Sequence, residues 1–111
     1  MTQPKIIADG LEVSKQTMAA IKSVAGQLEK AGIQTITILN DVASRGGRDL
    51  IHFDALEIEH MGQSQYKHFT AAKQTLVKAL NQVGAAAVDL DPKGLGDGAS
   101  IAIRSTSVRD R

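Results

Sequence analysis

Two arginines flank a pair of glycines in the run Ser-Arg-Gly-Gly-Arg-Asp at residues 44–49. Arginine presents a planar, permanently charged fork that fits a phosphate, and glycine lets the backbone approach an anion closely. Arg45, Gly46, Gly47 and Arg48 are therefore a candidate phosphate or nucleic-acid contact. The competing reading is a surface loop whose arginines pair with Asp41 and Asp49, since exposed pairs of that kind are common and weak. A second glycine-rich run, Gly-Leu-Gly-Asp-Gly, follows Pro92 and Lys93. A nucleotide-binding glycine loop must follow a strand and open a helix. Here the next residues, ASIAIRS, alternate like a strand, so the run reads as a hairpin arm, with Lys93 as the residue able to grip an anionic partner.

The third chemical cluster is HFDALEIEH at 52–60. His52 and Asp54 share a face on a strand, and Glu57 and His60 share one on a helix. No single geometry gathers three of these ligands, and spacings such as HExxH are absent. A solvated acidic face is expected rather than a metal site. No local nucleophile signature such as GxSxG is present. No catalytic residue, metal ligand or cofactor motif is assigned from the sequence.

The 111 residues make one domain with a modest core, and residues 1–4 and 107–111 read as loose ends. Aromatic residues are 3% of the chain, namely Phe53, Phe69 and Tyr66, so the core rests on Ile, Leu, Val and Ala. That scarcity argues against a stacking platform for bases. The net charge of +1 does not announce a polyanion partner. The charge is uneven, however. Acids concentrate in residues 41–60, whereas residues 61–84 carry Lys67, Lys73 and Lys78 and no acid. The basic run on that segment reads mainly as a solvated helix side. The chain has no cysteine, which excludes disulfides and thiolate chemistry. With no signal-like or membrane-length apolar run, it is expected to be cytoplasmic.

The elements that position these residues follow from periodicity. Ser14 suits an N-cap, and Met18, Ile21, Ala25, Leu28 and Ala31 form a helical stripe that stops at Gly32. Ile33 to Leu39 alternates as a strand. Residues 40–49 read as a loop. Residues 50–61 change parity near Asp54, which predicts a strand with a break, or a strand ending at a short helix capped by Asp54. Ser64 is a candidate cap for a helix whose buried stripe is Phe69, Ala72, Leu76, Leu80 and Val83. Ala86, Val88 and Leu90 then alternate with Asp89 and Asp91. Ile101 and Ile103 point inward from a last strand, with Arg104 outward.

The layout repeats. Leu28 and Gly32 recur as Leu80 and Gly84, 52 residues on, each pair followed by a β-rich run and a glycine-rich loop. The predicted fold is α+β: two helices on one face of a single four- or five-stranded mixed sheet, in the order β-α-β-(β)-α-β-β, with a possible internal αββ duplication.

This order, with a Gly/Arg loop after the second strand and a long arm between the last two strands, resembles small nucleic-acid-binding folds. Among them are the Alba chromatin proteins and the C-terminal domain of translation initiation factor three. Gly47-Arg48-Asp49-Leu50 is similar to the Arg-Gly-Arg stretch of those folds. Pro92-Lys93 and Ser100 to Arg104 sit where those families place their last loop and strand. The resemblance implies RNA or DNA contact through Arg45, Arg48, Lys93 and Arg104. Residues 53–62 depart from it as an acidic insertion, and the lysines that precede the first helix in Alba proteins are replaced by Leu11, Glu12 and Val13. The leading expectation is a non-catalytic nucleic-acid-binding protein. The runner-up is a protein–protein interaction module or a subunit of a homo-oligomer, and a small enzyme stands third.

Overall fold

The computed structural model describes residues 3–8, 13–40, 47–91 and 100–104. Its elements run β1 (Lys5–Ile7), α1 (Lys15–Lys30), β2 (Thr35–Asn40), β3 (Arg48–Phe53), α2 (Ala55–Glu59), α3 (Gln63–Gln82), β4 (Val88–Asp89) and β5 (Ser100–Arg104). The expected α+β architecture is present: the helices pack with one mixed sheet of order β1-β2-β3-β5-β4. β1 and β2 run parallel, joined by α1, and the remaining neighbours are antiparallel.

Strand parity decides which face is buried. Ile36 and Ile38 of β2, Ile51 and Phe53 of β3, and Ile101 and Ile103 of β5 all lie on the side covered by α1 and α3. Ile21, Val24 and Leu28 come down from α1, and Phe69, Leu76 and Leu80 from α3. Burying each such side chain contributes about 1.5–3 kcal/mol. Phe53 and Phe69 meet edge to face, with centroids 5.2 Å apart, an arrangement that adds about 1 kcal/mol beyond area.

The helix starts depart in part from expectation. Ser14 caps α1, its Oγ accepting from the Thr17 N–H at 3.2 Å. The cap of α3 is Gly62 rather than Ser64, and Gln65 Oε1 reaches back to the Gly62 N–H at 3.3 Å. Residues 50–61 resolve into a strand and a helix with no bulge. β3 ends at Phe53, and Asp54 Oδ1 accepts from the Leu56 N–H at 2.8 Å to start α2. The parity change at Asp54 thus marks a change of element.

Both long helices stop in the same way. The Ile33 N–H bonds the Leu28 carbonyl at 3.0 Å, and the Ala85 N–H bonds the Leu80 carbonyl at 2.9 Å. Gly32 and Gly84 take the left-handed conformation between them, at φ 105° and 80°, where a Cβ is disfavoured. The repeat of 52 residues is therefore geometric. It relates α1-β2-β3 to α3-β4-β5, and it carries Leu50 onto Ala102, which are themselves cross-strand partners. A pseudo-two-fold axis passes through that pair, between the central strands. β1, α2 and the register of β4 are the departures from it: β4 pairs with β5 three residues out of step with the way β2 pairs with β3, and with the opposite face buried.

One expected alternation fails. Val88 and Leu90 are exposed, while Ala85 and Ala87 are buried. Ala86 adopts a positive φ of 51° and resets the parity, so β4 turns Asp89 toward the helices and Val88 away. The arm at 92–99, the residues after Arg104 and the loop at 41–46 lie outside the described residues.

Candidate nucleic-acid interface

The face of the sheet opposite the helices bears no described element. Its side chains follow from the register. β1 contributes Lys5 and Ile7, and β2 contributes Thr35, Thr37 and Leu39. β3 adds Arg48, Leu50 and His52, β5 adds Ser100, Ala102 and Arg104, and β4 adds Val88. These positions form rows across the strands. Arg48 stands opposite Arg104. Leu39, Leu50, Ala102 and Val88 make the next row, and Thr37, His52 and Ser100 the one after it.

The Arg48–Arg104 row is the feature the sequence does not make plain. Arg48 belongs to β3 and not to a loop, so strand pairing fixes it beside Arg104. Side chains of opposed residues share a face and lie close enough to touch, and like charges so placed destabilise a sheet. Among the described residues, neither arginine makes an ion pair; the salt bridge found there joins Lys73 and Asp89. The expected pairing of Arg48 with Asp49 is overturned. Strand alternation sends Asp49 to the opposite face, where it is fully buried and accepts from Asn40 Nδ2 at 3.0 Å. Gly47 precedes β3 with a φ of 66° and open space where a Cβ would stand. Arg45, Gly46, Lys93 and Asp41 lie outside the described residues. Of the four cations expected to converge, Arg48 and Arg104 are brought together.

Charge on this face has one sign. Lys5, Arg48 and Arg104 are its charged side chains among the described strand positions, and no acid shares it. Asp89 has the wrong parity and is engaged by Lys73 instead. Lys73 also corrects an expectation. It is not on the solvated side of α3: it is 2% exposed, pairs with Asp89 Oδ2 at 3.2 Å, donates to the Asp91 carbonyl at 3.1 Å and lies 5.6 Å from the Phe69 ring centre. It ties the edge strand to the helix layer.

The HFDALEIEH cluster is dispersed by the fold. His52 Nδ1 shares a hydrogen bond of 3.1 Å with Ser100 Oγ on the open face. Asp54 caps α2, Glu57 Oε1 accepts from the Gln34 N–H at 2.6 Å, and His60 Nδ1 donates to the Leu56 carbonyl at 2.6 Å. Each is occupied with a backbone group or a neighbour. Among the described residues no three His, Asp or Glu side chains converge as a metal site, and no helix is long and apolar enough to cross a membrane.

The open face is also apolar. Ile7, Leu39, Val88 and Leu90 are between 36% and 52% exposed. Ile7, Leu39 and Val88 are on this face by register, and Leu90 joins it by donating its N–H to the Ser100 carbonyl. Comparison with protein families, with curated proteins and with solved structures finds no match to this chain.

Proposed function

We propose that this chain is a non-catalytic nucleic-acid-binding protein that holds phosphate at the Arg48–Arg104 row. The observation that carries the reading is the register of β3 on β5, which opposes two arginines on a face that bears no acid among the described residues. Their mutual repulsion costs the fold roughly a few tenths of a kcal/mol or more. An anion bridging the two forks removes that cost and gains charge-assisted hydrogen bonds. The resemblance to the Alba and initiation-factor folds points the same way, since it places RNA or DNA contact at Arg48 and Arg104.

The test is fluorescence anisotropy with labelled oligonucleotides across a salt series. The chain binds at low salt and weakens steeply as salt rises. Substituting Arg48→Ala and Arg104→Ala together lowers affinity at least tenfold. It also makes the salt slope shallower by about 1 to 2, roughly one unit for each phosphate no longer neutralised. No binding to RNA or DNA at low salt overturns the reading. Unchanged affinity in a folded double variant removes the site.

A second reading rests on the exposed Ile7, Leu39, Val88 and Leu90. Contiguous apolar surface marks protein contacts, so the same face serves a protein partner or a second copy of the chain. Light scattering over a concentration series separates self-association from the first reading.

A further inference from the structure

We infer that the open sheet face takes single-stranded nucleic acid in preference to duplex. This rests on the proposed phosphate contact at Arg48 and Arg104 and specifies its ligand. The cations lie at two ends of the face. Arg48 and Arg104 occupy one end of the central strands, and Lys5 sits opposite Thr35 at the other end of β2. Along the strand direction these rows are roughly 20 Å apart, three same-face steps of about 6.8 Å each. Between them lie an apolar row, Leu39, Leu50 and Val88 with the buried Ala102 among them, and the hydrogen-bonding row of Thr37, His52 and Ser100.

That sequence of rows matches the chemistry of an unpaired strand. A single strand offers phosphates at intervals with uncovered base faces and edges between them. The bases cover the apolar row and give up water there, while His52, Ser100 and Thr37 meet their edges. A duplex offers the reverse. Its bases are stacked and paired inside, and its outer surface is a continuous ridge of phosphates. Laid on this face, a duplex sets anions against Leu39, Leu50 and Val88, which cannot neutralise them, and uses only the cations at the margins. Reading bases in a groove needs an element that projects into it, and the described open face is strands alone. Phe53 and Phe69 are buried under the helices and Tyr66 belongs to α3, so the described face has no Phe, Tyr or Trp ring for stacking, and the His52 imidazole is the ring it offers. Binding therefore relies on aliphatic contact and is modest in strength and tolerant of base identity. A second copy of the chain complements the face poorly, since an isologous contact offers cations to cations and, among the described residues, no acid.

The experiment compares labelled oligo(dT) and oligo(U) of about 20 nucleotides with a hairpin duplex of matched length at low salt. The single strands are expected to bind at least tenfold tighter. Leu50→Thr places a β-branched residue, which suits a strand, and removes aliphatic surface from the middle of the apolar row. It lowers single-strand affinity severalfold and leaves both duplex affinity and the salt slope unchanged. A thermal melt matching the unsubstituted chain shows that the variant is folded; Leu39→Thr replaces it if Leu50→Thr does not fold. Equal or tighter duplex binding overturns this inference and leaves the phosphate contact standing. An unchanged single-strand affinity in a folded Leu50→Thr or Leu39→Thr variant also overturns it. Absence of binding to every oligonucleotide overturns both, as does binding confined to an acidic peptide.

Discussion

Asp49 and Lys73 are both charged groups that the fold buries, in opposite states of satisfaction. Lys73 reaches a carboxylate, a carbonyl and an aromatic face, and holds β4 against α3. Asp49 is fully buried on β3 with Oδ1 bonded to Asn40 and Oδ2 without a partner. An uncompensated buried carboxylate costs more than a neutral amide of the same shape. Asp49→Asn keeps the acceptor that Asn40 needs and removes the charge. It is expected to raise stability by about 1 kcal/mol, read as a higher urea midpoint at unchanged slope. A lower midpoint would show that the amide N–H groups, buried in place of Oδ2, cost more than the charge they replace. The sequence makes the acid visible but not the face it takes. A loop over 40–49 would put Asp49 and Arg48 together in solvent. Pairing with β2 and β5 instead extends β3 back to Arg48 and sends the two side chains to opposite sides of the sheet.

Elements are legible where periodicity is long and uninterrupted. The α1 stripe and its stop at Gly32 follow from spacing and from the need for a left-handed residue, and the same signals recur at Gly84. Two short features resist for physical reasons. α2 has five residues, too few to repeat the helical period, and its cap at Asp54 is the one local signal. β4 has two residues and follows a non-glycine residue at positive φ, so alternation predicts its parity backwards. β4 ends the sheet. Its outer edge, with Ala87 just before it, is where a further strand would pair. No strand takes that place among the described residues. Instead the Asn81 amide accepts from the Ala87 N–H at 2.6 Å and donates to its carbonyl at 3.2 Å. A side chain thus stands in for a neighbouring strand and blunts an edge that would otherwise recruit another chain. Asn81→Ala frees both backbone groups of a buried residue. The expected result is a loss of about 1–3 kcal/mol together with concentration-dependent association by light scattering. Destabilisation without association would show that the edge is shielded by something other than Asn81.

Across the whole molecule, a net charge of +1 conceals a polarised surface. The helix side and its connections carry the acids among the described residues, such as Glu29, Asp54, Glu57 and Glu59, while the open face presents only Lys5, Arg48 and Arg104 beside its apolar row. The pseudo-two-fold through Leu50 and Ala102 relates the two ends of the β3–β5 ladder, yet the sequence breaks the relation chemically. One end holds Arg48 and Arg104, the other His52 and Ser100. Salt therefore acts in opposite directions on the two partners this face could accept. Nucleic-acid binding weakens as salt rises, because released counterions are worth less. Contact between two copies is opposed at low salt by arginines facing a surface with no acid among the described residues. That repulsion fades as the screening length falls from about 10 Å at 0.1 M to about 3 Å at 1 M, while apolar attraction persists. The chain is expected to be monomeric by light scattering at low salt and to gain apparent mass toward about 1 M, over the same range in which oligonucleotide anisotropy declines. Arg48→Ala with Arg104→Ala shifts the onset of association to lower salt. Mass that is constant or declines with salt in both proteins would mean that the open face does not pair with itself, and that its aliphatic row is kept for a different kind of surface.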